Sequence, residues 1–158
     1  MFSIEKDEDA EKNYILMVET VKHMVDGESD VIANLANISS VINAYMDNLN
    51  WAGFYILKGE ELVLGPFQGM PACVRIKLGK GVCGTAASEK RIILVDDVEK
   101  FPGHIACDSA SKSELVAPIY KDGEVYGVLD LDSPIVSRFT EVEKKYISQI
   151  SDIIGRIL

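Results

Sequence analysis

Two stretches near the start of the chain repeat their apolar residues every three or four positions. Tyr14, Val18, Val21 and Val25 form one series, and Val31, Leu35, Ile38, Ile42, Tyr45 and Leu49 form another. That period belongs to a helix with one buried face. Asp26-Gly27 breaks the first helix, and Ser29 or Asp30 can cap the second. The period then drops to two. Trp51 to Leu57 reads as a strand, Lys58-Gly59-Glu60 as a tight turn, and Glu61 to Leu64 as its hairpin partner. A second hairpin is expected from Leu115–Tyr120 and Val125–Asp132, joined at Lys121-Asp122-Gly123-Glu124, since Asp-Gly is a strong turn signal. The last helix opens on a Thr140/Glu143 capping box and carries Val142, Tyr146, Ile150, Ile153 and Ile157 as its apolar stripe.

Between the hairpins the pattern dissolves. Gly65 to Gly84 is rich in glycine and contains Pro66 and Pro71, so it is expected to be mostly loop. Gly84 to Lys90 suits a short helix and Ile92 to Val95 a strand. Asp96 to Ser113 is a second polar, irregular stretch. Connections of this length inside a compact domain tend to be functional. Antiparallel hairpins with helices at both chain ends predict an α+β class, a sheet covered by helices.

Composition narrows the setting. The 158 residues suit one domain, 1–158, and 47% hydrophobic with 26% charged residues is an ordinary globular balance. The apolar runs are too short to span a bilayer, and the acidic opening MFSIEKDEDAEK is not a signal peptide, so a cytoplasmic location is expected. A net charge of −9 repels phosphate backbones and anionic membrane surfaces. Neither nucleic acid nor a membrane is an expected partner. Three cysteines, an odd number without a secretory signal, argue against a stable disulfide framework.

Those cysteines are nevertheless the first chemical candidates. Cys73, Cys83 and Cys107 all fall in the two irregular stretches, among glycines, prolines and polar residues. A free cysteine is most often a small buried side chain, but such cysteines normally sit inside helices and strands. Zinc with His104 as a fourth ligand is a second option. Spacings of 10 and 24 contain no C-x-x-C knuckle, which argues against it. Thiol redox chemistry is the third: a thiolate attacks, a sulfenic acid forms, and a neighbouring thiol resolves it to a disulfide. His23 lies on a helix and receives no role. Gly79-Lys80-Gly81 lacks the spacing of a phosphate loop.

Acids and aromatics add to the picture. Asp130 and Asp132 are two apart in an apolar strand and share a face with Val128, while Leu129 and Leu131 face the other way. Two carboxyl groups buried together resist joint ionisation, so one keeps its proton near neutral pH. A reaction that expels oxide as water needs such a proton. Glu114, opening the partner strand, is the third candidate. Register poses a test. A plain two-residue turn at Asp122-Gly123 would set Glu114 opposite Leu131, on the wrong face. A shared acid site therefore requires a one-residue offset: a bulge, a loop of another length, or Glu114 in the approach loop. Trp51 and Tyr55 lie four apart on one strand, on one face and about 13 Å apart along it. They are either core or one wall of a small-molecule pocket.

Four blocks carry a family resemblance: WAGFY from Trp51, GPFQGMPACVRIKLGKGVCGTAA from Gly65, FPGHIACDSASKSELVAPI from Phe101 and GVLDLDSP from Gly127. The chain resembles the GAF-domain proteins, and within them the free methionine-(R)-sulfoxide reductases, over nearly its whole length. The resemblance implies an antiparallel sheet flanked by helices, with ligand-binding loops on the other face. It implies reduction of free methionine-(R)-sulfoxide rather than the peptide-bound form, without metal or organic cofactor, and recycling by thioredoxin. The family's members are often dimers, so a homodimer is the assembly to look for. Matched by motif, Cys107 corresponds to the attacking cysteine, Cys73 to the main resolving cysteine and Cys83 to a second thiol able to form a disulfide. Glu114, Asp130 and Asp132 correspond to the acidic substrate site, and Trp51 and Tyr55 to the aromatic wall at the substrate's methyl end. The alternative is a sensory ligand-binding module, the commonest use of the GAF fold.

Overall fold

The computed structural model describes residues 3–105 and 107–158. Two antiparallel helices come first, α1 (Ala10–Val25) and α2 (Val31–Tyr45). Asp9 caps α1, and the Asp30 carboxylate caps α2 by accepting the backbone N–H of Ala33. The helix α2 stops at Tyr45, short of Leu49, which still packs partly buried on the core. Then follow β1 (Trp51–Lys58), β2 (Glu61–Gly69), β3 (Arg75–Lys77), α3 (Gly81–Glu89), β4 (Ile93–Val95), a 3-10 turn at Val98–Lys100, β5 (Ser113–Lys121), β6 (Glu124–Ser133) and α4 (Glu141–Ile157). The strands form one sheet in the order β3-β2-β1-β6-β5-β4, with antiparallel pairing throughout. No helix among the described residues is long and apolar enough to cross a membrane.

The glycine-rich stretch is more regular than its composition suggests. β2 runs on to Gly69, β3 follows, and α3 begins at Gly81, three residues ahead of the expected start. Sheet pairing supplies what local propensity lacks. Past Leu64 the strand stays bonded to β1 through a register shift between Gly53 and Tyr55, which accommodates Gly65 and Pro66. Gly53 is required here, because a Cβ would strike the side chain of Phe67. Cys83 therefore sits on the buried side of a helix, not in a loop. On α4 the capping box forms as expected. The buried stripe there is Tyr146, Ile147, Ile150, Ile153 and Ile154, and Val142 instead faces solvent.

Each central strand sends alternate residues to opposite layers. Ala52, Phe54, Leu115, Ala117, Leu129 and Leu131 face α1, α2 and α4 and make the larger core. Trp51, Tyr55, Val116 and Val128 face α3 and the long connections, in a second, smaller cluster. The β5–β6 hairpin decides which layer receives Glu114. Asp122 and Gly123 both have positive φ, 52° and 80°, as a two-residue turn of this kind demands, and Lys121 pairs with Glu124. The register then shifts by one between Ile119 and Tyr120, leaving Tyr126 as the extra residue. Beyond this bulge Glu114 lies opposite Asp132 and Val116 opposite Asp130. The one-residue offset that a shared acid site requires is present.

Candidate active site

A cavity opens on the α3 side of the sheet. Its floor is Glu114 from β5 with Asp130 and Asp132 from β6, and Trp51 and Tyr55 from β1 form one wall. The first turn of α3, with Lys80, Gly81, Val82 and Cys83, forms another. His104, Ile105, Cys107, Asp108 and Ser111 close it from above. The aromatic rings lean together across Gly53, with centroids 5.8 Å apart, and Phe67 stacks on Trp51 from outside at 5.2 Å. Each ring also anchors the chain between β2 and β3. Trp51 Nε1 donates to the Met70 carbonyl at 3.2 Å, and Tyr55 Oη donates to the Cys73 carbonyl at 2.9 Å. These bonds hold Cys73 beside the cavity. A disulfide joins it to Cys107. Residues 34 apart in sequence have thus been folded against each other.

Three carboxyl groups in one apolar-walled space is an unusual concentration of acid. Asp130 and Glu114 are buried, and Asp132 is half-buried. One carboxylate oxygen of Asp130 is buried without any hydrogen-bond partner. Burial pushes the Glu114 carboxyl well above the usual range, and the nearby Asp130 and Asp132 push it further. Asp132 rises well for the same reasons, held back in part by a hydrogen bond from Ser111. Asp130 is raised by burial to about 6. The group thus carries protons at neutral pH. His104 brings Nε2 to 3.7 Å from Glu114 Oε2, but burial lowers its own pKa, so the contact is one of a neutral imidazole.

Cys83 is placed differently from the other two cysteines. It is buried and free, and its Sγ lies 3.9 Å from Glu114 Oε1. Burial first, then the charges of Asp130 and Glu114, push its thiol well up, so it is a poor nucleophile in this state. Cys83, Glu114 and Asp130 bring possible metal-ligand atoms within 4.8 Å of one another. This set shares only Cys83 with the three-cysteine, His104 combination weighed from sequence, whose other two thiols are joined to each other here.

All eight sequence-derived candidates come together at this cavity or its disulfide: Trp51, Tyr55, Cys73, Cys83, Cys107, Glu114, Asp130 and Asp132. Residues that pattern did not reveal stand among them. Asn50 donates through Nδ2 to Asp108 at 3.0 Å and to Ser111 at 3.1 Å. Polar residues in loops carry no periodicity, so nothing marked them in advance.

Comparison with known proteins places the chain. Residues 30–158 match the GAF domain family. Protein YtsP of Bacillus subtilis is 50% identical over the whole of this chain and 99% of its own length. The free methionine-R-sulfoxide reductase of Escherichia coli is 44% identical over 85% of this chain and 82% of its own. Among solved structures, the free methionine-R-sulfoxide reductase from Neisseria meningitidis in complex with its substrate superposes with a TM-score of 0.95. It is 38% identical and covers 99% of this chain and 95% of its own.

Proposed function

This chain belongs to the GAF domain family and, within it, to the free methionine-R-sulfoxide reductases, oxidoreductases that act on sulfur; from that premise we propose that it reduces free methionine-(R)-sulfoxide to methionine through Cys107. One observation carries the mechanism: a disulfide-forming cysteine borders a cavity floored by three carboxyl groups gathered from two neighbouring strands. Sulfoxide sulfur is a weak electrophile until its oxygen receives a proton. Glu114, raised by burial and by the two neighbouring acids, holds that proton at neutral pH, and Asp132 stands opposite it on the neighbouring strand.

The steps balance. Cys107 thiolate attacks the sulfur of the sulfoxide while the oxygen takes a proton from the carboxyl group. The oxygen then passes from the substrate sulfur to Cys107: a Cys107–oxygen bond forms as the new sulfur–sulfur bond and the substrate's sulfur–oxygen bond both break, methionine leaves with the electron pair on its sulfur, and Cys107 is left as sulfenic acid. The Cys73 thiol then attacks Cys107, water departs, and the disulfide seen here results. Thioredoxin returns both sulfurs to thiols, each exchange breaking one sulfur–sulfur bond and forming another. Asp130, with its unpartnered oxygen, serves the substrate's ammonium group. Lys80 and the first turn of α3, whose N–H groups carry partial positive charge, face its carboxylate. Trp51 and Tyr55 receive the methyl end. Peptide-bound sulfoxide offers neither free terminus to these groups.

The decisive experiment follows NADPH oxidation with thioredoxin, thioredoxin reductase and resolved R and S forms of free methionine sulfoxide. Turnover of the R form alone, lost in Cys107→Ser, is the expected result. Undiminished turnover in Cys107→Ser would assign the chemistry elsewhere. A variant lacking both Cys73 and Cys83 should stop after one turnover with sulfenic acid on Cys107, detectable with a trapping reagent.

A further inference from the structure

Residues 101–111 carry the attacking sulfur, yet no helix or strand runs through their described positions. In this structure the bond from Cys107 to Cys73 ties them down. Under the function proposed above, that bond is absent at the moment of attack, because Cys107 must then be a free thiolate. Something else has to hold the sulfur over the carboxyl groups during that half of the cycle.

Among the described residues few polar side chains reach this segment. His104 stands 3.7 Å from Glu114, and Ser111 lines the cavity together with Asp132. The remaining ties come from one residue. Asn50 Nδ2 donates to Asp108 Oδ2 at 3.0 Å and to Ser111 Oγ at 3.1 Å, across 58 and 61 positions of sequence. Its backbone N–H donates to the Asp132 carbonyl at 3.0 Å. Asn50 thus fixes its main chain to the strand bearing the acids and its side chain to the segment bearing the thiol. Asp108 is the very next residue after Cys107.

A second observation sets Asn50 apart. Its amide oxygen is buried with no hydrogen-bond partner, one of only two such side-chain atoms among the described residues, and the other belongs to Asp130. Buried amides normally satisfy both ends. Here the Asp108 carboxylate demands a donor and dictates which way the amide faces, so the oxygen goes unpaired. A leucine or alanine would leave no orphan. The donors are what the position is for.

We propose that Asn50 is a positioning residue that holds the Cys107 segment against the acid cluster while the disulfide is open, acting through Asp108 and Ser111. The proposal rests on Cys107 being the attacking thiol. Its test separates the two. Hydrogen exchange of residues 101–111 is measured in the reduced and disulfide forms of wild type, Asn50→Ala and Asn50→Asp. The last variant keeps the volume but sets a carboxylate against Asp108. In parallel, single-turnover methionine formation is timed with the reduced proteins. Both variants should exchange like wild type when the disulfide is closed and lose protection when it is open. Their single-turnover rates should fall about 10- to 100-fold, the scale of a misplaced reacting group. Wild-type protection in the reduced variants overturns the proposal, and so does equal loss in both redox states, which marks a general structural role. If Asn50→Ala does not fold, Asn50→Asp decides alone. Reduced wild type that forms no methionine refutes the function, while the exchange data still judge the clamp.

Discussion

Glu143 and Glu114 are buried to almost the same degree, 7% and 6% exposed, on opposite sides of the sheet. Glu143 opens α4 in a nest of donors. Tyr14 Oη donates to it at 2.8 Å, Arg138 Nη1 at 3.1 Å, the Thr140 N–H at 2.7 Å and the Thr140 hydroxyl at 2.6 Å. Burial alone would raise its pKa, but the bonds from Thr140 and Tyr14 outweigh it and hold the carboxyl below the usual range. Glu114 has only the Cys83 thiol at 3.9 Å, His104 at 3.7 Å and two more carboxyl groups. There burial and like charge act together, and its pKa climbs. Similar exposure accompanies a carboxyl held low in one place and one held high in the other. What a buried carboxyl does depends on the donors around it as well as on how deeply it is enclosed.

The contrast predicts opposite responses to the same substitution. Glu114→Gln keeps the shape and removes the transferable proton. Its kcat should fall about 100- to 10,000-fold, the range for losing a general acid, with no loss of thermal stability at pH 8. Steady-state kinetics and a melting curve check both parts. Wild-type kcat in this variant would move the proton donor to Asp132.

Glu143→Gln should do the reverse. It leaves the half-buried Arg138 without its anion and replaces a charged acceptor of four hydrogen bonds. A loss of about 3 kcal/mol in unfolding free energy is expected, with kcat per folded molecule unchanged. Because the folded pKa of Glu143 is depressed, its contribution is present above the unfolded carboxyl value and vanishes as pH falls through the folded one. The gap between wild type and variant should therefore close in acid. Denaturant titrations at pH 7 and below pH 4 measure it.

How much of this was readable from residues alone differs between the two layers. The helical layer announces itself, since 3.6-residue periodicity and the Thr140/Glu143 box need only local sequence. The need for a one-residue offset, whether by a bulge, a loop of another length or Glu114 in the approach loop, also follows from residue arithmetic once the Asp122-Gly123 turn is accepted, and the structure supplies it as a shift between Ile119 and Tyr120. β3 and the start of α3 do not follow, because a three-residue edge strand and a helix opening Gly81-Val82-Cys83-Gly84 have no propensity to display. Their order comes from pairing with β2 and packing on the sheet. Asn50 and Ser111 were invisible for a related reason: hydrogen bonds across some sixty residues leave no local trace.

The acid cluster should also cost stability. Asp130 is raised by burial to about 6, from an ordinary value of 3.8. A raised folded pKa means full stability below the unfolded value, lost as pH rises through about 6. Asp130→Asn removes the group that must ionise. It should raise unfolding free energy by up to about 3 kcal/mol at pH 8 and leave it unchanged near pH 3.5. Melting temperatures at the two pH values decide it. An Asp130→Asn variant no more stable than wild type at pH 8 would mean that Asp130 finds donors when ionised, as Glu143 does, and the contrast between the layers would shrink to Glu114.

The smallest expected effect concerns the substrate. Asp130 carries a buried oxygen without a partner, whereas both carboxylate oxygens of Glu143 are satisfied. An unsatisfied acceptor in a cavity is a place for a ligand's donor, and free methionine sulfoxide brings an ammonium group. Acetylation of that nitrogen removes the charge and adds bulk. A charge-assisted hydrogen bond is worth about 1.5–3 kcal/mol, so kcat/KM for N-acetyl-methionine-(R)-sulfoxide should fall roughly tenfold or more. The same comparison in Asp130→Asn should show a smaller ratio, because the amide cannot offer the ammonium a full negative charge. Equal rates for the free and acetylated sulfoxides in wild type would leave Asp130 without a ligand to explain its orphaned oxygen. A ratio undiminished in Asp130→Asn would pass the ammonium site to Asp132.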